Sequence, residues 1–105
     1  MRGRIKTIDV DAYEWFDKHY GNSYFAGEVT INFGTKSQIG FNMPFQYGYG
    51  SSYQDEAWRQ LMMRKFIKGD GCYSLERYCR ENNIILRATK HENCLKRDLR
   101  RFEND

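Results

Sequence analysis

Two stretches of alternating apolar and polar residues flank a turn in residues 24–45, which read YFAGEVTINFGTKSQIGFNMPF. Successive residues of a strand point to opposite faces of a sheet. One face of the first stretch therefore carries Phe25, Val29, Ile31 and Phe33, and one face of the second carries Ile39, Phe41, Met43 and Phe45. The segment 34–37 between them has turn composition. The pattern predicts a β-hairpin with one apolar face.

Two residues limit this hairpin. Gly27 interrupts the first strand of the hairpin. Pro44 has no N–H to donate to a neighbouring strand. The second strand of the hairpin is therefore expected either to end at Pro44 or to lie at an edge of the sheet there.

An earlier stretch, residues 4–12, alternates in the same way. Ile8, Val10 and Ala12 share one side, while Asp9 and Asp11 lie on the other. A polar break at residues 17–23 follows, and Gly21-Asn22 within it suits a turn with positive φ. The sequence thus predicts a first strand and a bend that leads into the hairpin.

The second half of the chain reads mainly as helix. Ser52-x-x-Asp55 resembles a capping box for a helix that is expected to end near Ile67, before Gly69-Asp70-Gly71. A shorter helix is predicted to begin with Ser74 as its N-cap and to bury Cys79. Residues 84–89 read as a further strand, and residues 95–105 as a marginal final helix or a frayed tail.

The predicted order is β-β-β-α-α-β. The expected fold class is α+β, with a three- to four-stranded, mainly antiparallel sheet and two helices packed on one face. A chain of 105 residues has room for a single domain, which is expected to span residues 1–105. Its 17 aromatic residues supply a large apolar surface for the core.

Composition also bears on location. No apolar run is long enough to span a membrane, and the basic start of the chain is followed by no apolar leader segment. The three cysteines are an odd number and are expected to be reduced thiols. We therefore expect a cytoplasmic protein without membrane contact.

The residues of the chain give little support to an enzymatic or metal-binding function. Zinc ligands usually come in closely spaced pairs, which Cys72, Cys79, His91 and Cys94 do not form, and Cys79 is expected to be a core residue. A cation site at Asp9, Asp11, Glu14 and Asp17 is a less favoured alternative to a solvated strand face. Only His19 and His91 are available as bases for a nucleophile, and neither lies in a catalytic motif. The prediction is a protein without catalytic residues, metal or cofactor.

Two features suit binding. The loop around residues 45–53 places tyrosines among glycines and serines, a composition typical of contact surfaces, although these rings are equally compatible with covering the sheet. Basic charge is concentrated later in the chain, because residues 59–101 carry twelve Lys or Arg and five Asp or Glu. The candidate binding residues are Phe45, Tyr47, Tyr49, Tyr53, Arg64, Lys65, Lys68, Arg87, Lys90, Lys96, Arg97, Arg100 and Arg101.

Four segments carry a resemblance to known proteins: WFDK at residues 15–18, GNSYF at 21–25, MPFQYGYG at 43–50 and DEA at 55–57. In these, residues 5–62 resemble a group of small proteins encoded by tailed bacteriophages. The resemblance implies a context, a host bacterial cell, in which such proteins often bind and disable a host factor or a defence complex such as a CRISPR effector.

The leading functional hypothesis is stoichiometric binding and inhibition, or redirection, of such a host or defence complex. A basic DNA- or RNA-binding module is the alternative, since bases stack on aromatic side chains beside basic ones. A homodimer through an exposed strand edge or through the tyrosine loop is compatible with either.

Overall fold

The computed structural model describes residues 4–69 and 71–102. Strands β1 (Thr7–Asp17), β2 (Asn22–Ile31) and β3 (Ile39–Tyr47) come first. Helices α1 (Ser52–Met63) and α2 (Leu75–Glu81) follow, and then strand β4 (Ile85–His91) and helix α3 (Lys96–Arg100). The predicted α+β class is confirmed, with α3 added at the end of the predicted order.

The four strands form one sheet in the order β3-β2-β1-β4. β1 pairs with β2, and β2 with β3, as antiparallel hairpins, whereas β4 runs parallel to β1. β4 can reach this position because α1 and α2 carry the chain back across the sheet, as a parallel neighbour requires a long crossover. β3 is an edge strand, which explains how it accommodates Pro44 and continues to Tyr47.

The main core lies between the sheet and helices α1 and α2, on what we call the α1/α2 face. The alternating residues Ile8 and Val10 of β1, Val29 of β2 and Met43 of β3 meet Leu61 of α1 there, all almost fully buried. Cys79 of α2 is buried against the same core, as predicted. The period-two pattern of the strands is thus satisfied by burial of one side.

Helix α3 packs on the opposite side of the sheet, which we call the α3 face. Its Leu99, together with Phe102 just beyond it, is buried against Ala26, and the rings of Tyr13 and Trp15 pack beside them. The final helix of the sequence prediction is therefore present, although residues 103–105 lie outside the described part of the chain. The two predicted helices lie together on the α1/α2 face, as expected, and α3 is a third helix on the opposite face.

Three predicted boundaries were wrong. β1 extends to Asp17 because its hairpin with β2 continues to the Asp17–Asn22 pair. α1 ends at Met63, short of Ile67, and residue Lys65 after it has φ of 64°, outside the helical region. Ser52 lies inside α1 and Ser51 is its N-cap, without a side-chain bond, so the predicted capping box does not form. Ser74 does cap α2, accepting a hydrogen bond from the Arg77 N–H.

The apolar stripe predicted for the hairpin stops before Phe33, which is 62% exposed. The cause is Asn32, whose φ of 55° turns the chain out of the strand. Its buried side chain accepts hydrogen bonds from the backbone N–H groups of Lys6 and Thr7 and donates one to the carbonyl of Arg4. Asn32 therefore joins the end of β2 to the start of β1 and redirects the turn.

Within residues 4–69 and 71–102, no helix is long and apolar enough to cross a membrane.

Candidate binding surface

The predicted aromatic loop divides into a buried and an exposed part. Tyr53 is 8% exposed and belongs to the main core, and Phe45 is partly buried beside α3. Tyr47 and Tyr49, in contrast, are 60% and 66% exposed. The interpretation that these rings cover the sheet is therefore correct for Phe45 and Tyr53, whereas Tyr47 and Tyr49 stay exposed and remain candidates for binding. The bulge near Gly27 re-aims the end of β3.

A continuous series of ring contacts crosses the α3 face. The ring of Trp15 stacks on that of Tyr24 at 5.5 Å between centroids. Tyr24 stacks on Phe45 at 5.2 Å and meets Tyr47 edge to face at 5.9 Å. Tyr47 in turn meets Tyr49 edge to face at 6.5 Å. The two exposed tyrosines thus extend from a partly buried aromatic base that limits their freedom.

Helix α3 places its basic residues beside these rings. The Lys96 ammonium lies 5.4 Å from the Trp15 ring centroid, and the Arg101 guanidinium lies 4.7 Å from that of Tyr13. Arg97 and Arg100 are exposed on the same helix. Its one acidic residue, Asp98, accepts a hydrogen bond from the Leu95 N–H. We use the name aromatic–basic surface for the five rings and the adjacent basic residues, which are Trp15, Tyr24, Phe45, Tyr47, Tyr49, Lys96, Arg97 and Arg100 of α3, and Arg101 just after it.

The other predicted basic residues lie elsewhere. Arg64 ends α1 with its guanidinium 4.3 Å from the Phe41 ring centroid, on the α1/α2 face, and Lys65 and Lys68 follow it. Arg87 donates hydrogen bonds to both carboxylate oxygens of Asp9. Lys90 is mostly buried, where it bonds to Glu14 and to the carbonyl of Gly50. The structure therefore does not gather the nine basic residues into one patch.

A groove of about 500 Å³ adjoins the aromatic–basic surface at the end of β1. Trp15, Phe16 and Leu95 line it together with polar residues such as Asp17 and His19, and Phe16 and Leu95 are 50% and 52% exposed. Half-exposed apolar side chains around a concave site are typical of places where a partner inserts a side chain. We call this site the apolar groove.

The remainder of the α3 face is acidic. Asp9, Asp11 and Glu28 lie there, where Asp11 and Glu28 are directly opposite each other on β1 and β2. Asp9 is paired with Arg87, and Asp11 lies 2.7 Å from the His91 ring. Tyr13 marks the boundary, because its ring stacks on His91 while its hydroxyl donates to Asp11. One face thus carries a basic aromatic half and an acidic half.

The cysteines and His91, considered above for metal binding and catalysis, have the following surroundings. Within the described residues, no three His, Cys, Asp or Glu side chains come together as metal ligands. The Cys94 thiol donates to the carbonyl of His91, whose ring is directed to Asp11. Burial raises the pKa of the Cys79 thiol to about 11, so that thiol is protonated at neutral pH.

Sequence reasoning missed Trp15, Phe16, Tyr24 and Leu95 as surface residues. A signal for two of them was available, because Trp15 and Tyr24 occupy the strand positions opposite to the apolar stripe. An aromatic residue on the polar side of a strand indicates a second packed surface. The groove residues come from distant parts of the chain, and only the fold brings them together.

No protein-family model, curated protein or solved structure matches the chain in the comparisons made with each.

Proposed function

We propose that this chain is a binding protein that associates stoichiometrically with an acidic surface of a host or defence protein complex. In this proposal it is a phage-type accessory protein that inhibits or redirects its target in the host cell and catalyses no reaction. The observation that carries the proposal is the aromatic–basic surface with the apolar groove at its end. Its proposed contact residues are the exposed Tyr47 and Tyr49 and the exposed Arg97 and Arg100 of α3.

The exposed tyrosines support binding because they offer large contact areas with few rotatable bonds. The ring of Tyr47 contacts that of Tyr24, and the ring of Tyr49 contacts that of Tyr47. These contacts constrain both rings, so less conformational entropy is lost when a partner binds. The basic residues of α3 add attraction for acidic groups and accelerate association.

A protein partner is favoured over nucleic acid by two features of the same face. The apolar groove, lined in part by Phe16 and Leu95, suits an inserted side chain of a protein. A nucleic-acid strand that continued along the face would meet Asp11 and Glu28, which repel phosphates. A protein surface can complement both the basic and the acidic half.

Nucleic-acid binding is the second candidate, supported by the exposed rings of Tyr47 and Tyr49 near a basic helix. Such binding rests on stacking and phosphate contacts, and its affinity falls steeply with salt. Nucleic-acid binding would involve only the short aromatic–basic surface and not the apolar groove.

The test is a pull-down with tagged full-length chain from a bacterial lysate, with and without nuclease, followed by mass spectrometry. Three forms are compared: the unchanged chain, the double variant Tyr47→Ser/Tyr49→Ser, and the control Tyr73→Ser. Tyr73 is 88% exposed and lies just before α2, away from the α3 face. We expect a protein partner that survives nuclease, is kept by the control and is lost by the double variant.

Retention of nucleic acid alone, released by moderate salt, would overturn this proposal in favour of the second candidate. If the double variant and the control retain the protein partner equally, the aromatic–basic surface does not bind that partner. The Leu95→Ala variant extends the test to the apolar groove, where we expect weaker binding without a change in fold.

A further inference from the structure

We infer that strand β4 is a dimerisation edge, which pairs antiparallel with β4 of a second copy of this chain across a two-fold axis at Ala88. The two four-stranded sheets then join into one continuous sheet. The inference rests on the backbone and side chains of β4 and not on the aromatic–basic surface.

The first observation concerns the backbone of β4. The N–H of Ile85 donates to the carbonyl of Lys6, so Ile85 and every second residue after it bond towards β1. Leu86, Ala88 and Lys90 therefore direct their N–H and C=O groups away from the sheet. None of these groups has a hydrogen-bond partner in the part of the chain that the structure describes.

The second observation is that this edge lacks the usual protection against pairing. Sheet edges are normally protected by proline, by a bulge or by free lysines that project at the edge. β4 contains no proline and no interruption in its pairing with β1. Its two charged residues are held by the chain itself, since Arg87 is bound to Asp9 and Lys90 to Glu14.

The opposite edge of the sheet provides an internal comparison. β3 contains Pro44, and its pairing with β2 is irregular between Phe25 and Gly27. Both features discourage the addition of another strand. The contrast indicates that the edge at β4 is available for pairing while the edge at β3 is not.

The third observation is that β4 is complementary to itself. Its bounds, Ile85 and His91, are equally far from Ala88, so pairing about Ala88 uses the whole strand. In this register Ala88 faces Ala88 of the second copy, and Leu86 faces Lys90. Each of these residues directs its backbone N–H and C=O groups away from its own sheet. In an antiparallel pair, two such residues opposite each other form two N–H···O=C hydrogen bonds.

The side chains also fit this register. Ile85, which is 59% exposed, comes to lie beside His91 of the second copy, and Arg87 lies opposite Thr89. No like charges lie directly opposite each other, and the two Arg87 side chains, which lie diagonally across the axis, are each paired with Asp9 of their own copy. Ile85 gains an aromatic neighbour. A second copy therefore matches this edge along its full length, as a two-fold interface requires.

The experiment is sedimentation equilibrium of the full chain over a wide concentration range. The expected mass at high concentration is twice the 12.6 kDa of the single chain. Ala88→Pro removes an outward N–H and leaves the bonds to β1 in place, so we expect a folded monomer. Ala88→Val keeps the N–H and is the matched control, for which we expect a dimer.

Amide hydrogen exchange of the unchanged chain is a second measurement that needs no variant. We expect the amides of Leu86, Ala88 and Lys90 to be protected at high concentration and to exchange rapidly on dilution. A mass of 12.6 kDa at every concentration, or rapid exchange of these amides at the highest one, overturns the inference. So does a dimer that persists in Ala88→Pro.

The Tyr47→Ser/Tyr49→Ser variant separates this inference from the proposed function. If β4 is the interface, this variant remains a dimer while it loses its partner. A dimer that dissociates in the tyrosine variant and persists in Ala88→Pro would assign self-association to the aromatic–basic surface and overturn the role of β4.

Discussion

Gly27 allows the two central strands to approach closely. A methyl group at this position would overlap the carbonyl oxygen of Asp11 on β1 and lie 2.8 Å from the Cα of Ala12. These are backbone atoms in the middle of the sheet, which cannot move aside as a flexible side chain does. The glycine that interrupts the strand pattern is therefore required by the packing of β1 against β2.

We expect Gly27→Ala to destabilise the fold by about 3 kcal/mol, since overpacking a core typically costs 1–3 kcal/mol and here the obstacle is backbone. Urea unfolding measures this change. The matched control is Gly40→Ala on β3, where the nearest atom is the Val29 carbonyl oxygen at 3.4 Å. We expect the control to change stability by less than about 1 kcal/mol, and equal losses in the two variants would contradict the argument.

Glu56 of α1 is a buried carboxylate that is held by hydrogen bonds. Burial alone raises its pKa, but hydrogen bonds from Arg59 and Gln60 outweigh burial and lower the pKa below its ordinary value of 4.5. Because the folded pKa is below the unfolded one, the stabilisation is present above about 4.5 and is lost as pH falls through the folded pKa.

We therefore expect unfolding free energy to fall in acid, and to fall less in Glu56→Gln than in the unchanged chain. At neutral pH this variant is expected to be less stable by on the order of 1–2 kcal/mol, because it loses a charged acceptor. Glu76→Gln is the control, since the Glu76–Arg80 pair is exposed and contributes little. Parallel pH profiles for Glu56→Gln and the unchanged chain would refute this role.

At the scale of elements, helix α3 packs its apolar residues against the second face of the sheet. Leu99 is fully buried between the helix and Ala26, and Phe102 is buried beside it. A helix of this length is not stable in isolation, so its position depends on this contact. Lys96 and Arg101 reach Trp15 and Tyr13 only while the helix is docked.

We expect Leu99→Ala to cost about 2–4 kcal/mol through the cavity it leaves. We also expect a change in Trp15 fluorescence, because Lys96 leaves the ring when α3 detaches. Thermal unfolding and fluorescence spectra provide the two measurements. Leu95→Ala, at a half-exposed position in the preceding turn, is expected to leave thermal unfolding nearly unchanged.

Elements could be predicted where local pattern and tertiary packing agree. The alternation over residues 24–45 gave the β2–β3 hairpin, and the turn composition at Gly21-Asn22 gave the bend before it. Boundaries failed where tertiary pairing decides, as in β1, which β2 extends to Asp17. The parallel position of β4 could not be derived, because nothing in a strand of seven residues specifies which neighbour it joins.

At the scale of the whole molecule, the basic residues are divided between the two faces of the sheet. The basic residues of α3 lie on one face, and the basic residues that follow α1 lie with the other. The sequence indicated a basic C-terminal half but not this division, because faces are assigned only once the helices are docked. The aromatic–basic surface was for this reason only partly predictable, through Tyr47, Tyr49 and α3.

We expect Arg97→Glu/Arg100→Glu to slow association with the partner by roughly tenfold at low salt, and by less at high salt, as electrostatic steering is screened. Lys65→Glu/Lys68→Glu makes the same change in net charge near the end of α1, and we expect a much smaller effect. Stopped-flow or surface-based kinetics measure both rates. Equal effects would show that only net charge matters.

The parallel neighbour of β1 also has a consequence for the order of folding. Asp9 and Arg87 are paired across 78 residues of chain, whereas the β1–β2 hairpin closes over a short turn. Contacts so distant in sequence form late, because a long loop must close first. In pulse-labelling during refolding we expect the amides of Asp9 and Asp11, directed to β2, to gain protection before those of Val10 and Ala12. Until β4 arrives, the centre of the finished sheet is itself an open edge, and the refolding chain is most prone to aggregate during that interval.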